Sequence, residues 1–352
     1  MKVLLISSDN IYLVPYIKMY TNLLDQNDIC YDVLYWDKNR NEMFDDEKFI
    51  RFSTENDQGK KKILGYLEFR KKTIELCKNR HYDLLVPLHP ICNIVLYDIL
   101  TRKYKGRYVF DVRDYSYEKY GIIRWMEKQL VKSSMMNIIS SEGYKNFLPQ
   151  GEYHLVHNIP QIDYEGFRQT ANTNNKVITI SYIGLIRFME QNKKIILFFK
   201  NDPRFHLNFI GTNASKLQYF CEDNGVDNVT LIDTFPPEDT LNYYKTTDLI
   251  MNLYGNHTPL LDYALSNKLY FAACLYKPIL VCSDTYMEKI TKEFDIGYSL
   301  KLENEDEKNR LYQYIKELKR EQFITNCNAL MNRAITEQQQ TLETLKELIL
   351  KG

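Results

Sequence analysis

Several signatures that would assign this 352-residue chain at once are missing from it. Neither strand-like opening, "KVLLISS" from residue 2 or "VITISYIGLIR" from residue 177, carries G-x-G-x-x-G, so the dinucleotide fingerprint is absent. There is no P-loop, no H-E-x-x-H and no G-x-S-x-G. Nor is there a D-x-D, which argues against a divalent metal holding a diphosphate. The seven cysteines (30, 77, 92, 221, 274, 282 and 327) include no C-x-x-C pair, their number is odd, and most sit in apolar runs. They read as small hydrophobes in a reducing, cytosolic compartment, with no zinc site. No apolar run approaches the ~20 residues of a membrane span. The opening "MKVLLISSDN" is cut short by Asp9 and reads as a first strand, not a signal peptide. Net charge is also lacking: 46 Lys and Arg balance 46 Asp and Glu. A neutral chain has no electrostatic footprint for nucleic acid.

Hydrophobic residues make up 44% of the chain. That is enough for sizeable cores, and the length predicts two domains. Strand and helix patterns alternate. The strands are "KVLLISS", "YDVLYWD", "YDLLVPLHP", "YVFDVRD" and "MNIISSEG", then "VITISYIGLIR", "HLNFIG", "VTLIDTF", "DLIMNLY" and "KPILVCSD". This order predicts an α/β protein with mainly parallel sheets. Helices are expected over 60–80, 118–133, 192–200, 213–224 and 237–246, and two amphipathic helices over 305–332 and 335–351 close the chain. The helix bearing Trp125 is read as core. The aperiodic "RQTANTNNK" (168–176) is the best linker candidate. We expect a first domain over 1–160, a second over 161–335, and a terminal helix, 336–352, packing back on the first. Residues 60–107 hold 12 basic and 4 acidic side chains. That excess fits a solvated helix face or a surface for anionic lipid.

Ligands of open α/β sheets bind beyond the carboxyl ends of the strands. The polar residues there are His89 with Pro90, Arg113 with Asp114, Ser140 to Gly143, Gly184 with Arg187, Gly211, and Gly255 to Thr258. Gly184 admits a ligand close to the backbone, and Arg187 offers forked donors for phosphate. Ser266 or Asn267 caps the following helix, whose free N–H groups suit a diphosphate. Lys268 lies in its first turn, where a cation is unfavourable unless an anion is near.

In order and spacing these stretches resemble the glycosyltransferases of the GT-B fold, family 4, over nearly the whole chain. "FDVRDY" is similar to the family's "vRDlwP" loop without its Trp-Pro. "RWMEKQLVKSSMMNIISSEG" is similar to "lE..l...ad.iitvS", "HLVHNIP" to "v.viyNgvd", and "ISYIGLIR" to "vGrl". "FHLNFIGTN" resembles "l.ivG.G", and "NKLYFAACLYKPILV" resembles "nKl.EAla.GkPvi". The resemblance implies two Rossmann-like domains facing a central cleft. It implies transfer of a sugar from a nucleotide-sugar donor to a glycan or lipid-linked acceptor, usually with retention and without metal or other cofactor. It puts Gly184 and Arg187 at the donor diphosphate, and wraps residues 255–268 around the sugar and phosphates, Gly255, Thr258, Asp262, Ser266, Asn267 and Lys268 among them. Two glutamates of the family are replaced by Tyr263 and Phe271, and the glycine-rich loop after the first strand by "SSDNIYLVP".

The reading is a GT-B glycosyltransferase of the cytosolic membrane face, acting in surface polysaccharide or glycolipid assembly. Arg187 and Lys268 stabilise the departing diphosphate. Asp9, Asn10, His89 and Arg113 hold the acceptor, and Asp9, His89 or Asp114 serves as base if the enzyme inverts. An inverting transferase, a nucleotide-sugar epimerase and a degenerate nucleotide-binding homologue remain the alternatives. Asp262 or Asn267 is expected to take over the ribose from Phe271, with a core role for Phe271 as the other reading.

Overall fold

The runs rich in Val, Ile and Leu become strands buried on both faces, as parallel sheets require. Val3, Leu4, Leu5 and Ile6 are all fully inaccessible. The computed structural model describes residues 1–160, 162–168 and 176–351; the linker candidate lies outside it except for Arg168 and Lys176. The chain divides into two units, 1–157 with 336–352, and 158–335.

The first unit runs β1 (Lys2–Ser7), α1 (Ile17–Gln26), β2 (Cys30–Trp36), β3 (Phe49–Phe52), α2 (Lys62–Asn79), β4 (Leu84–Pro87) and α3 (Pro90–Val95). It continues with β5 (Val109–Val112), α4 (Gly121–Ser133), β6 (Met136–Ile139) and β7 (His154–Leu155). The order β3-β2-β1-β4 is all parallel, and a bridge from Leu85 to Tyr108 sets the parallel sheet β5-β6-β7 beside it.

The second unit runs β8 (Ile178–Ile183), α5 (Met189–Phe199), β9 (Phe205–Ile210), α6 (Gln218–Asp223), β10 (Val229–Ile232), α7 (Thr240–Lys245) and β11 (Leu249–Asn252). Then come α8 (Pro259–Asp262), α9 (Asn267–Leu275), β12 (Ile279–Cys282), α10 (Tyr286–Phe294), β13 (Gly297–Leu300), α11 (Asp306–Lys316) and α12 (Arg320–Lys351). Its sheet is parallel in the order β10-β9-β8-β11-β12-β13.

Two helical expectations differ from the structure. After α11 the chain forms one helix to Lys351, not a pair broken near residue 333, because no Gly or Pro interrupts 320–351. Phe323, Cys327 and Leu330 of α12 join the core of the second unit, and Leu345 and Ile349 that of the first. In the first unit Thr341 donates to the Leu155 carbonyl at 2.7 Å. Trp125 is also not core: it is 52% exposed. It stands about 140° around α4 from the buried Leu130, so the two cannot share a face.

In the second sheet, neighbouring strands β8 and β9 each end in a glycine of positive φ, Gly184 at 117° and Gly211 at 134°. The two backbones press together: a Cβ on Gly211 would lie 1.9 Å from the Gly184 carbonyl oxygen. Both strand ends are pinned by backbone bonds of 2.8 Å, Gly184 N–H to the Ile210 carbonyl and Gly211 N–H to the Ile232 carbonyl. Gly211→Ala therefore combines a clash with a left-handed φ. We expect a loss of at least ~2 kcal/mol, read as a lower denaturant midpoint at unchanged slope.

Candidate functional site

Past the end of β8 the chain turns through Gly184 and reaches Arg187, whose side chain is exposed. The turn is held by Tyr182, a buried residue of β8. Its hydroxyl donates to the Leu185 carbonyl at 3.0 Å and accepts from the Arg187 backbone N–H at 3.2 Å. Asn192 of α5 donates to the Arg187 carbonyl at 2.6 Å. The backbone of the arginine is thus fixed from both sides.

Lys268 meets this turn from α9. Ser266 caps the helix, its hydroxyl accepting from the Lys268 backbone N–H at 3.2 Å. The lysine side chain is 5% exposed, and its ammonium donates to the Ile183 carbonyl, the last of β8, at 2.6 Å. It lies 3.8 Å from where a Cβ on Gly184 would sit. Two aromatic faces enclose it, Tyr182 at 4.8 Å and Tyr254 at 5.7 Å from the ring centroids. Burial depresses its pKa to about 8; the Tyr182 phenol opposes this and the Arg187 guanidinium adds to it. Two cations therefore converge beside a glycine turn and a capped helix N-terminus. This arrangement is unfavourable by itself and is relieved by an anion.

The other expected residues of this unit spread around the same strand ends. Gly255 follows β11 with a φ of 107°, and its N–H donates to the Cys282 thiol sulfur at 3.3 Å. Thr258 is exposed, and its carbonyl accepts from Leu261 and Asp262, which starts α8. Asp262 has a buried Oδ1 without a hydrogen-bond partner. Asn267 is exposed, and its Oδ1 accepts from the Ser266 hydroxyl at 3.4 Å. Phe271 is half-buried and stacks on Tyr244, with centroids 5.1 Å apart. Sequence reasoning missed Tyr182 and Tyr254, the walls of the lysine site. The only signal was a tyrosine two residues before the strand-end glycine.

In the first unit the structure redistributes the expected acceptor residues. The Arg113 guanidinium is engaged within the unit. It is bound to Asp111 through Nε at 2.6 Å and Nη2 at 2.9 Å, and Nη1 donates to the Val156 carbonyl at 3.1 Å. The Tyr16 ring covers it at 4.4 Å. Asn10 is likewise used internally, donating to Asp37 at 2.7 Å and to Glu42 at 3.1 Å. Asp9 pairs with Lys38 at 2.8 Å, and Asp114 is exposed. His89 caps α3 beyond β4, and its buried Nε2 has no partner. Burial lowers its pKa against the opposing pull of Asp9.

No family model matches the chain, and no curated protein matches it in sequence. Solved structures do. Sucrose-phosphate synthase from Thermosynechococcus elongatus aligns with a TM-score of 0.75 at 10% identity, covering 100% of both chains. Anabaena HepE in complex with UDP and glucose aligns at 0.68 and 13% identity, over 99% of this chain and 100% of its own. The lipopolysaccharide outer core galactosyltransferase WaaB, in its apo form, gives 0.63 at 13% identity, over 96% and 99%. The fold is GT-B. Within a GT-B chain, the corner of Gly184, Arg187 and Lys268 lies at strand ends of the second Rossmann-like unit.

An anion bound at this corner would raise the Lys268 pKa from about 8. Affinity for a nucleoside diphosphate should then be flat below pH 8. Above it, affinity should weaken by about tenfold per pH unit until the lysine of the complex itself titrates. Calorimetric titration with UDP across pH 6.5 to 9.5 checks this, and Lys268→Met should remove the slope.

Proposed function

We propose that the chain is a glycosyltransferase, similar to family 4, moving a sugar from a nucleoside-diphosphate sugar to a glycan or lipid-linked acceptor. The observation that carries this reading is the convergence of the buried Lys268 ammonium and Arg187 on the Gly184 turn, under the capped start of α9. HepE, of the same fold, was solved with UDP and with UDP-glucose. A diphosphate here meets two cations and free helix N–H groups. Charge developing on the departing phosphate oxygen is stabilised by groups already in place. These cations supply the positive charge for which a metal-dependent transferase uses an ion, so the transfer is proposed as metal-independent. Retention of configuration and a role in surface polysaccharide or glycolipid assembly at the inner membrane face belong to the same reading. His89, with its unpartnered nitrogen, is proposed to accept from or donate to an acceptor hydroxyl, and Asp114 is the exposed carboxylate next to Arg113 in sequence.

The ribose is assigned to Asp262. Phe271 stacks on Tyr244 and has no acceptor to give, and Asn267 is exposed, whereas Asp262 carries a buried carboxylate oxygen that bonds to nothing. A bond between a ribose hydroxyl and a carboxylate contributes ~1.5–3 kcal/mol.

Two outcomes follow. Arg187→Ala should weaken UDP binding by roughly 10- to 100-fold in calorimetric titration, the loss of one charge-assisted contact. Wild-type protein that binds no nucleoside diphosphate at millimolar concentration would end the transferase reading. Asp262→Ala should weaken UDP more than 2′-deoxy-UDP. An unchanged ribose-to-deoxyribose ratio removes Asp262 from the ribose and leaves the diphosphate assignment standing.

A further inference from the structure

The first unit carries two exposed segments of unusual composition. At the start of α2, Ile63, Leu64 and Leu67 are 69%, 52% and 57% exposed. They follow Lys60, Lys61 and Lys62 directly, and no acidic residue lies between 59 and 67. The next acid, Glu68, is tied to Thr54 and Asn56. Gly65, Phe69, Thr73 and Leu76 face inward, so the apolar stripe Ile63, Leu64 and Leu67 points away from the core.

The second segment is Tyr117–Lys132. Tyr117, Tyr120, Ile122 and Trp125 are exposed, interleaved with exposed Lys119, Arg124, Lys128 and Lys132. Its two acids do not reach this surface: Glu118 and Glu127 are each 3% exposed. Burial raises both carboxyl pKa values, and for Glu127 the Glu118 charge adds to it. The outer face is therefore aromatic and cationic, with no exposed acid.

The two segments belong to one packed layer. α3 packs against both α2 and α4. Arg70 of α2 bonds the Val95 carbonyl of α3 at 2.8 Å and grips Asp98 just beyond it. Trp125 meets Tyr97 at 5.8 Å between ring centroids. The Tyr117 phenol is near enough to Tyr66 of α2 to bear on its ionisation.

We propose that this layer is a docking face for anionic lipid, with Leu64, Leu67, Ile122 and Trp125 entering the headgroup region and the surrounding lysines on lipid phosphates. Indole and phenol rings settle at such interfaces, and lysine stems reach past apolar neighbours to anionic headgroups. Each well-placed cation adds to the attraction, and salt screens it. The proposal uses only part of the basic excess of residues 60–107. Arg70 and Arg80 of the 60–107 region are held by Asp98 and Asp32, and the proposed face takes Lys60, Lys61 and Lys62 from that region together with the exposed cations of 119–132. It rests on the lipid-linked acceptor reading only for its purpose, not for its surface argument.

The test is co-sedimentation of the full chain with phosphatidylcholine vesicles containing 0 or 30% phosphatidylglycerol, at low and high salt. The wild type should pellet with the anionic vesicles alone and be released by salt. Leu64→Ser with Leu67→Ser and Trp125→Ser should weaken partitioning at least tenfold. The charge-reversed Lys60→Glu, Lys61→Glu, Lys62→Glu variant should lose the salt-sensitive part. Both variants should titrate UDP as the wild type does, which separates failure of docking from failure of the transferase reading. Equal pelleting with neutral lipid, or none, overturns the proposal. So does a concentration-dependent dimer that the serine variant abolishes, which would assign the face to a second copy of the chain.

Discussion

The hydrogen bond from the Lys268 ammonium to the Ile183 carbonyl is the contact on which the candidate site depends. It fixes the start of α9 against the end of β8, so that a helix dipole, a strand-end turn and a buried charge meet at one point. Burying an ammonium is costly unless it is compensated. Here the compensation is one carbonyl and two tyrosine faces, with Arg187 working against it. The corner is left with two cations and only a carbonyl and two aromatic faces to offset them.

The surrounding sheet makes that contact possible. Gly211 lets β9 lie against the Gly184 turn at a distance no side chain would permit. Tyr182 then sets the direction of the turn through two hydrogen bonds of its hydroxyl. The first unit uses its polar strand ends differently. Asp111, Arg113, Tyr16 and Tyr20 form a closed buried network, with the Tyr20 hydroxyl donating to Asp111 at 2.5 Å. Such a network orders a loop and leaves little for a ligand, which shifts attention to the unpartnered nitrogen of His89.

The same economy appears on the outer face of the first unit. Glu118 and Glu127 are drawn inward together, at the cost of a raised carboxyl pKa for each. Their removal from the surface leaves Trp125 and the lysines of α4 as its outer stripe.

By itself, the sequence determined the α/β alternation and the parallel strands, and it singled out Gly184, Arg187 and Lys268 as candidates. Apolar runs, a strand-end glycine and a cation in a helix first turn are local patterns that sterics and the helix dipole make legible. The tertiary structure decided what those patterns could not contain. Arg113 and Asp111 stand two apart on one side of a strand end and close on each other, although a loop arginine looks available in sequence. Trp125 lies outward because helical phase, not hydrophobicity, sets its face. Phe271 finds Tyr244 from another helix, and the walls around Lys268 come from β8 and from the loop after β11. Each of these is a contact between residues distant in the chain or a matter of burial, and neither is encoded in local spacing.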